Sequence, residues 1–249
     1  LFKKNYMKKK NIVINGGSKG IGREIVEYYR STNFNIFVLS RTKIKTKYTN
    51  VQNFSVDLSN AKKTKKIMQK IRKKCSEIDL VICCTGSGKK ISNNEIDNLI
   101  LKKYFEINFF TISNVLDSYL KIYHNKKTKF IVISSIASKK IIEAPIGYSI
   151  AKLSLDFFVK ILSKKLSQYQ ININSISPGN MLTKNNSWYK KLKLNKTKTI
   201  NYINKNVPLK KFISAKDIIS IIKLLHSKSG DNITGSDFII DGGQSLWKK

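Results

Sequence analysis

The chain has 249 residues, enough for one large α/β domain with a well-buried core, and no Pro/Gly/Ser-rich linker divides it. Its 48 Lys and Arg against 15 Asp and Glu give a formal charge of +33, but the lysines are spread over nearly every segment among many Asn and Ile residues. That pattern reads as compositional bias on solvated faces, so specific nucleic-acid binding is not expected.

Three cysteines, Cys75, Cys83 and Cys84, are an odd number and include an adjacent pair. Both facts argue against a secreted disulfide framework and for a reducing, cytoplasmic setting. No run approaches the roughly 18 apolar residues of a membrane span, and no apolar stretch follows the five lysines of the first ten residues. Membrane insertion and a signal peptide are therefore not expected. Residues 1–9 read as a basic extension, expected to be disordered, with Met7 the expected start; residues 10–249 read as a single domain.

Short apolar runs alternate with segments of helical periodicity, the pattern of βαβ units and a parallel sheet. Strands are expected at 11–15, 36–39 and 51–56, with a helix after Gly20–Gly22 whose inner face is Ile21, Ile25, Val26 and Tyr29. Ser59 is placed to cap the next helix, which faces inward through Ile67, Met68, Ile71 and Cys75. A fourth strand follows at 80–84, a long helix at 99–123 and a fifth strand at 130–134. The helix carrying Tyr148 and Lys152 continues to Leu166. A sixth strand at 171–176, a polar stretch at about 183–206, a helix at 215–226 and a last strand at 237–240 complete the order.

Two constellations carry chemistry. Directly after the first strand stands Asn15-Gly16-Gly17-Ser18-Lys19-Gly20-Ile21-Gly22, where glycines let the backbone turn tightly and approach a pyrophosphate at a helix N-terminus. Its position between a strand and a helix separates it from an ordinary loop. Further on, Tyr148 and Lys152 are four residues apart on a helix, which stacks a phenol beside an ammonium. At about 4 Å and an effective dielectric of about 20, that ammonium stabilises a phenolate by roughly 4 kcal/mol, so the tyrosine is expected to titrate closer to neutrality. A lysine-rich helix produces such a pair by accident, so the pair alone decides nothing.

The whole set decides more. The chain resembles the short-chain dehydrogenase/reductase family over about residues 10–245, carried by Gly16, Gly20 and Gly22 of the glycine motif, with Asn15 replacing its leading Thr. The resemblance continues through Asn108, Ser135, Tyr148 and Lys152, through Pro178-Gly179 with Met181 and Thr183, and through the closing runs Ile233-Thr234-Gly235 and Ile240-Asp241-Gly242-Gly243. It implies a Rossmann-type doubly wound fold, a seven-stranded parallel sheet in a three-layer α/β/α sandwich. It also implies reversible hydride transfer between nicotinamide C4 and a carbonyl or secondary alcohol. Tyr148 would exchange the proton, Ser135 orient the carbonyl oxygen, Lys152 lower the Tyr148 pKa and hold the nicotinamide ribose, and Asn108 hold a relay water. Ser134 competes for the serine role, but the thirteen-residue spacing to Tyr148 favours Ser135.

For the cofactor, the resemblance implies contacts from Gly16, Ser18, Lys19, Gly20, Ile21, Gly22, Asp57, Leu58, Gly86, Asn108, Tyr148, Lys152, Pro178, Gly179, Met181 and Thr183. An acidic residue ending the second strand would repel a 2′-phosphate; here Leu39-Ser40-Arg41 offers a hydroxyl and a guanidinium instead. NADP(H) is therefore expected over NAD(H), with Arg41, Ser40 and Lys19 at the phosphate. Where the family commonly has Asn-Asn-Ala-Gly, this chain reads Cys83-Cys84-Thr85-Gly86, followed by Ser87-Gly88. Adjacent strand residues face opposite ways and no His accompanies the cysteines, so buried small residues are expected rather than a metal site.

Within the family, the Pro208-Leu209-Lys210-Lys211-Phe212 run and the closing motif resemble 3-oxoacyl-acyl-carrier-protein reductases. The expected substrate is thus a small carbonyl or alcohol, possibly carrier-protein-bound, with residues 183–206 as its loop. A keto-sugar or nucleotide-sugar reductase is the alternative, partly from the atypical Thr85–Gly88 turn. A non-catalytic dinucleotide binder and a basic nucleic-acid-binding protein are remoter ones. Family members are usually homotetramers or homodimers, so a homo-oligomer is expected.

Overall fold

The computed structural model describes residues 9–123, 127–184 and 186–246. Nearly all of the basic extension expected at 1–9 lies outside the described residues; Lys9 alone is described, and it is exposed. Seven strands form one all-parallel sheet: β1 (Lys10–Asn15), β2 (Phe34–Ser40), β3 (Val51–Ser55), β4 (Leu80–Cys83), β5 (Lys129–Ile133), β6 (Asn172–Pro178) and β7 (Asp237–Ile240). Their order is β3-β2-β1-β4-β5-β6-β7, so the winding reverses between β1 and β4. That reversal opens a crevice at the carboxyl ends of these two strands, where doubly wound folds bind ligands.

The strands are apolar on both faces because helices cover both. One face of β1 is Val13, packed with Met68 and Ile71 of α2 (Ala61–Arg72), Val115 and Tyr119 of α4 (Thr111–Tyr123), and Leu155 and Val159 of α5 (Ile146–Leu166). The other is Ile12 and Ile14, packed with Ile25 and Val26 of α1 (Gly20–Tyr29) and Ile218 and Ile222 of α8 (Ala215–His226). The expected three-layer Rossmann-type architecture is the one found.

Several local expectations need correction. Asn60, not Ser59, caps α2: its side chain accepts the Lys63 amide at 2.9 Å, while the Ser59 hydroxyl donates to Asp57 at 2.8 Å. The neighbouring carboxylate outcompetes the helix for that hydroxyl, and the cap moves one residue. The helix expected over 99–123 divides into α3 (Asn98–Phe105), a π-helical turn at Glu106–Phe110 and α4. The fourth strand ends at Cys83, one residue early. The polar stretch at 183–206 folds into α6 (Ser187–Leu194) and α7 (Lys196–Asn206), capped by Asn186 and Asn195. Trp188 packs on Tyr202 and Phe212 with ring centroids 5.1 and 5.7 Å apart, which closes these helices onto one another and onto the chain ahead of α8.

Candidate active site at the carboxyl edge of the sheet

The glycine turn leaves β1 with Gly16 at φ +81°, a conformation that side chains rarely adopt. A Cβ on Gly22 would stand 2.4 Å from the Gly16 carbonyl oxygen, so the first turn of α1 folds directly onto the loop only without a side chain there. Lys19 occupies the N-cap of α1 without a side-chain cap bond, leaving the first helix amides to an external acceptor. These features fit a pyrophosphate. Asn15, the departure at the head of the motif, donates to the Thr111 carbonyl at 2.9 Å and accepts from the Thr85 hydroxyl, so one buried side chain ties the ends of β1 and β4 to α4.

A cleft of about 360 Å³ opens from this turn. Gly16, Ser18, Lys19, Ser40, Arg41, Asp57, Leu58 and Gly86, all expected cofactor contacts, line it. Ile21 and Gly22 are buried in the first turn of α1 and shape the loop from behind. Thr183 is buried, and its hydroxyl lies 3.8 Å from where a Cβ of Gly20 would stand, which brings the segment after β6 to the glycine turn. That segment is fixed by the Gly179 amide on the Ile240 carbonyl at 2.9 Å and by Met181 bridging Ile213. Asp57 is held below the usual carboxylate range by hydrogen bonds from Ser59, with smaller help from Arg41 and Lys63, and so stays anionic. Its carboxylate turns on Ser59 and caps no helix.

Sequence reading missed Thr42, Thr85, Glu106, Ile107 and Thr111, which also line the cleft. Thr85 and Ile107 adjoin residues already singled out, whereas nothing local marks Thr111. A wider cleft of about 780 Å³, with Lys10, Asp79 and Asn172 in its wall, lies at the amino ends of the strands. The crevice of a doubly wound sheet is at the other edge, and the glycine turn is there too.

Beyond Gly86 the four expected catalytic side chains converge. A Cβ on Gly86 would meet Asn108 Oδ1 at 3.0 Å and Lys152 Nζ at 3.1 Å, so a bare backbone passes over both. Lys152 is 3% exposed and donates to the Ile133 carbonyl at 2.9 Å. Asn108 is fully buried in the π turn; its Oδ1 accepts the Ser87 amide at 2.7 Å and its Nδ2 donates to the Tyr104 and Ser87 carbonyls. Tyr148 and Ser135 are half-buried and hydrogen-bonded to each other, and Gly88 runs past the tyrosine ring. Ser134, the competitor, is buried with its hydroxyl unpartnered, whereas Ser135 faces Tyr148.

The electrostatics differ from the sequence expectation. Burial raises the Tyr148 pKa above that of a free phenol, opposed by the Ser135 hydrogen bond. Burial also brings Lys152 down to about 8, with Asp156 the chief opposing influence. The ammonium is directed to the Ile133 carbonyl, and desolvation is the largest influence on the Tyr148 phenol. Cys83 belongs to one core layer and Cys84 packs against the other, as the strand alternation required. Burial pushes the Cys83 thiol to about 12 and raises Cys84 as well, so both are neutral. Among the described residues no cluster of His, Cys, Asp and Glu could hold a metal ion, and no helix is long and apolar enough to cross a membrane.

Residues 16–245 match the family model described as enoyl-(acyl carrier protein) reductase. The chain belongs to the short-chain dehydrogenase/reductase family. It is an oxidoreductase of that family. Similar curated relatives include the 3-oxoacyl-[acyl-carrier-protein] reductase FabG of Buchnera aphidicola subsp. Baizongia pistaciae, 29% identical over 96% of this chain and 98% of the relative. A diacetyl reductase of Staphylococcus epidermidis is 25% identical over 94% and 98%. Among solved structures, ElxO with NADP bound superposes with a TM-score of 0.87 at 22% identity, covering 96% of this chain and all of that one. A short-chain dehydrogenase of Leptospira borgpetersenii with bound NAD+ gives 0.85 at 22% identity, covering 96% and 93%. At these identities the two structures speak for the fold.

Proposed function

We propose that this oxidoreductase uses NADP(H) to interconvert a carbonyl and a secondary alcohol on an acyl thioester attached to an acidic carrier protein. Bound in the cleft, the dinucleotide would supply or accept the hydride. The single observation that carries the reading is the convergence of Ser135, Tyr148, Lys152 and Asn108 just beyond Gly86, next to a cleft with no carboxylate at the end of β2.

Ser18 and the free amides of α1 bind the pyrophosphate. Arg41 grips the 2′-phosphate through its fork of donors, with Lys19 and Ser40 beside it. Asp57 and Leu58 flank the adenine, and Met181 and Thr183 meet the carboxamide and pyrophosphate. Ser135 polarises the substrate oxygen while Tyr148 gives it a proton or takes one away. Lys152 holds the nicotinamide ribose, and its charge favours the phenolate as the proton leaves. Asn108 supports the route that returns a proton to Lys152.

Support for an anionic partner comes from α6 and α7, which border the segment after Thr183. They carry Lys190, Lys191, Lys193, Lys196, Lys198 and Lys205 and no carboxylate, and no Asp or Glu occurs between Asp156 and Asp217. The FabG likeness points the same way. On α5, Ile150, Leu153, Phe157 and Ile161 form an exposed apolar stripe that suits a second copy of the chain, giving a homodimer or homotetramer.

The test follows NADPH absorbance with acetoacetyl-carrier protein, its small-thioester analogue, diacetyl and a keto-sugar as substrates. Preference for the carrier-bound substrate that fades as salt rises supports the reading. Equal rates with diacetyl, or turnover with NADH alone, overturn it.

A further inference from the structure

Among the described residues one lysine, Lys152, and two aspartates, Asp156 and Asp241, are buried. Asp241 is spent on backbone amides, those of Gly243 at 2.8 Å and Ser245 at 2.5 Å. Asp156 is different. It follows Lys152 by one turn on the same face of α5, where residues i and i+4 are neighbours. Both bonds it accepts fall on Oδ2, from the Ser138 hydroxyl at 2.5 Å and Lys139 Nζ at 2.6 Å, while Oδ1 is buried with no partner.

Lys139 is also shared with Asp237 of β7, 2.9 Å away, and Asp237 accepts the Ser175 and Ser177 hydroxyls of β6, each at 2.8 Å. Two carboxylates thus divide one ammonium, and the network keeps a negative charge in the interior. An uncompensated buried carboxylate is costly, so a second cation must answer it. Lys152 is the buried cation on hand.

We infer that Asp156 is a positioning residue that acts through Lys152, holding that ammonium in its charged form while Lys139 and Asp237 lash α5 to β6 and β7. The inference rests on the oxidoreductase reading above, in which Lys152 works as a cation. Other groups bearing on Lys152 are the Cys83 thiol of β4, the Cys84 thiol just beyond it, Tyr148 of α5, Asn108 of the π turn and the Ile133 carbonyl of β5. Burial keeps the thiols neutral, and the phenol is neutral too. Facing Asp156 are Ser138, Lys139, Tyr148 and Lys152. Asp156 therefore supplies the only full negative charge acting on Lys152 within this set.

The test is a pH titration of the Lys152 ammonium by lysine-selective 15N NMR on the full chain without cofactor or substrate, its signal identified by Lys152→Met. Asp156→Asn keeps the shape and removes the charge. It should lower the Lys152 midpoint by about one pH unit, a tenfold loss of proton affinity. Ser138→Ala, which removes a hydrogen bond and no charge, should lower the melting temperature and leave the midpoint within a few tenths of a unit. Lys139→Met should raise the midpoint, and it decides the matter if Asp156→Asn fails to fold. An unmoved midpoint in Asp156→Asn, or an unmoved or lowered one in Lys139→Met, overturns the inference. Because no substrate is present, this result stands apart from the fate of the carrier-bound substrate.

Discussion

Asn108 Oδ1 accepts the backbone amide of Ser87 at 2.7 Å while its Nδ2 donates to the Ser87 carbonyl at 3.3 Å, so one buried side chain grips both sides of the loop that leaves β4. That grip sets Gly86 over Lys152 and Gly88 over the Tyr148 ring. Asn108→Ala would leave the half-buried Ser87 amide without its acceptor, at a cost of about 1–3 kcal/mol. Thermal denaturation should show that loss, and turnover should fall further than stability because the loop roofs the reacting groups. Unchanged melting and turnover would refute this account of the loop.

Tyr148→Phe removes the proton donor and keeps the ring against Gly88. Turnover should drop by at least about 10²-fold, the usual contribution of a positioned acid or base. NADPH affinity, followed by fluorescence titration, should stay within a factor of about three, since the phosphate-binding groups are untouched. Substantial residual turnover would transfer the proton step to another group.

Arg41→Ala removes the charged fork at the rim of the cleft. Hydrogen bonds to charged groups contribute about 1.5–3 kcal/mol, so NADPH should bind roughly 10- to 150-fold more weakly. NADH, which lacks the 2′-phosphate, should bind as before. Equal losses for both cofactors would place Arg41 away from the phosphate.

Gly22→Ala places a methyl group 2.4 Å from the Gly16 carbonyl oxygen, where backbone rather than a flexible side chain must yield. The expected result is a destabilised protein that no longer binds either dinucleotide, measured by calorimetry in the presence and absence of NADPH. A stable variant with intact affinity would show that the cradle tolerates widening.

Lys152 also predicts a pH dependence of stability. Its pKa falls from 10.5 in the unfolded chain to about 8 in the fold, so between those values the unfolded state binds more protons. Stability from this group therefore rises with pH across that window. Compared with Lys152→Met, the parent should gain stability between about pH 8 and 10.5, at no more than about 1.4 kcal/mol per pH unit. A constant difference across that window would mean that Lys152 keeps an ordinary pKa in the fold.

Much of the architecture was legible because it repeats locally. Strand runs such as Ile12-Val13-Ile14 are continuously apolar, the Ile21, Ile25, Val26 face follows the 3.6 period of a helix, and the glycine turn falls between them. Boundaries were less legible where side chains compete. Asp57 drew Ser59 away from the α2 cap, and a π turn interrupted a helix whose apolar pattern reads as continuous. The stretch at 183–206 is polar enough to read as loop, yet Asn caps and packing on Trp188 make it helical.

By itself the sequence determined most of the sheet's strands, because apolar spacing along a strand or helix is a local property, and its resemblance to the short-chain dehydrogenase/reductase family singled out the glycine turn and the four side chains that converge beyond Gly86. Only the tertiary structure decided how those groups are charged. Burial raises Tyr148 and lowers Lys152, Asp156 acts on both from further along α5, and Lys139 joins Asp156 to Asp237 of β7. Desolvation and charge proximity depend on what packs around a group in space, and that is set only when distant segments of the chain meet.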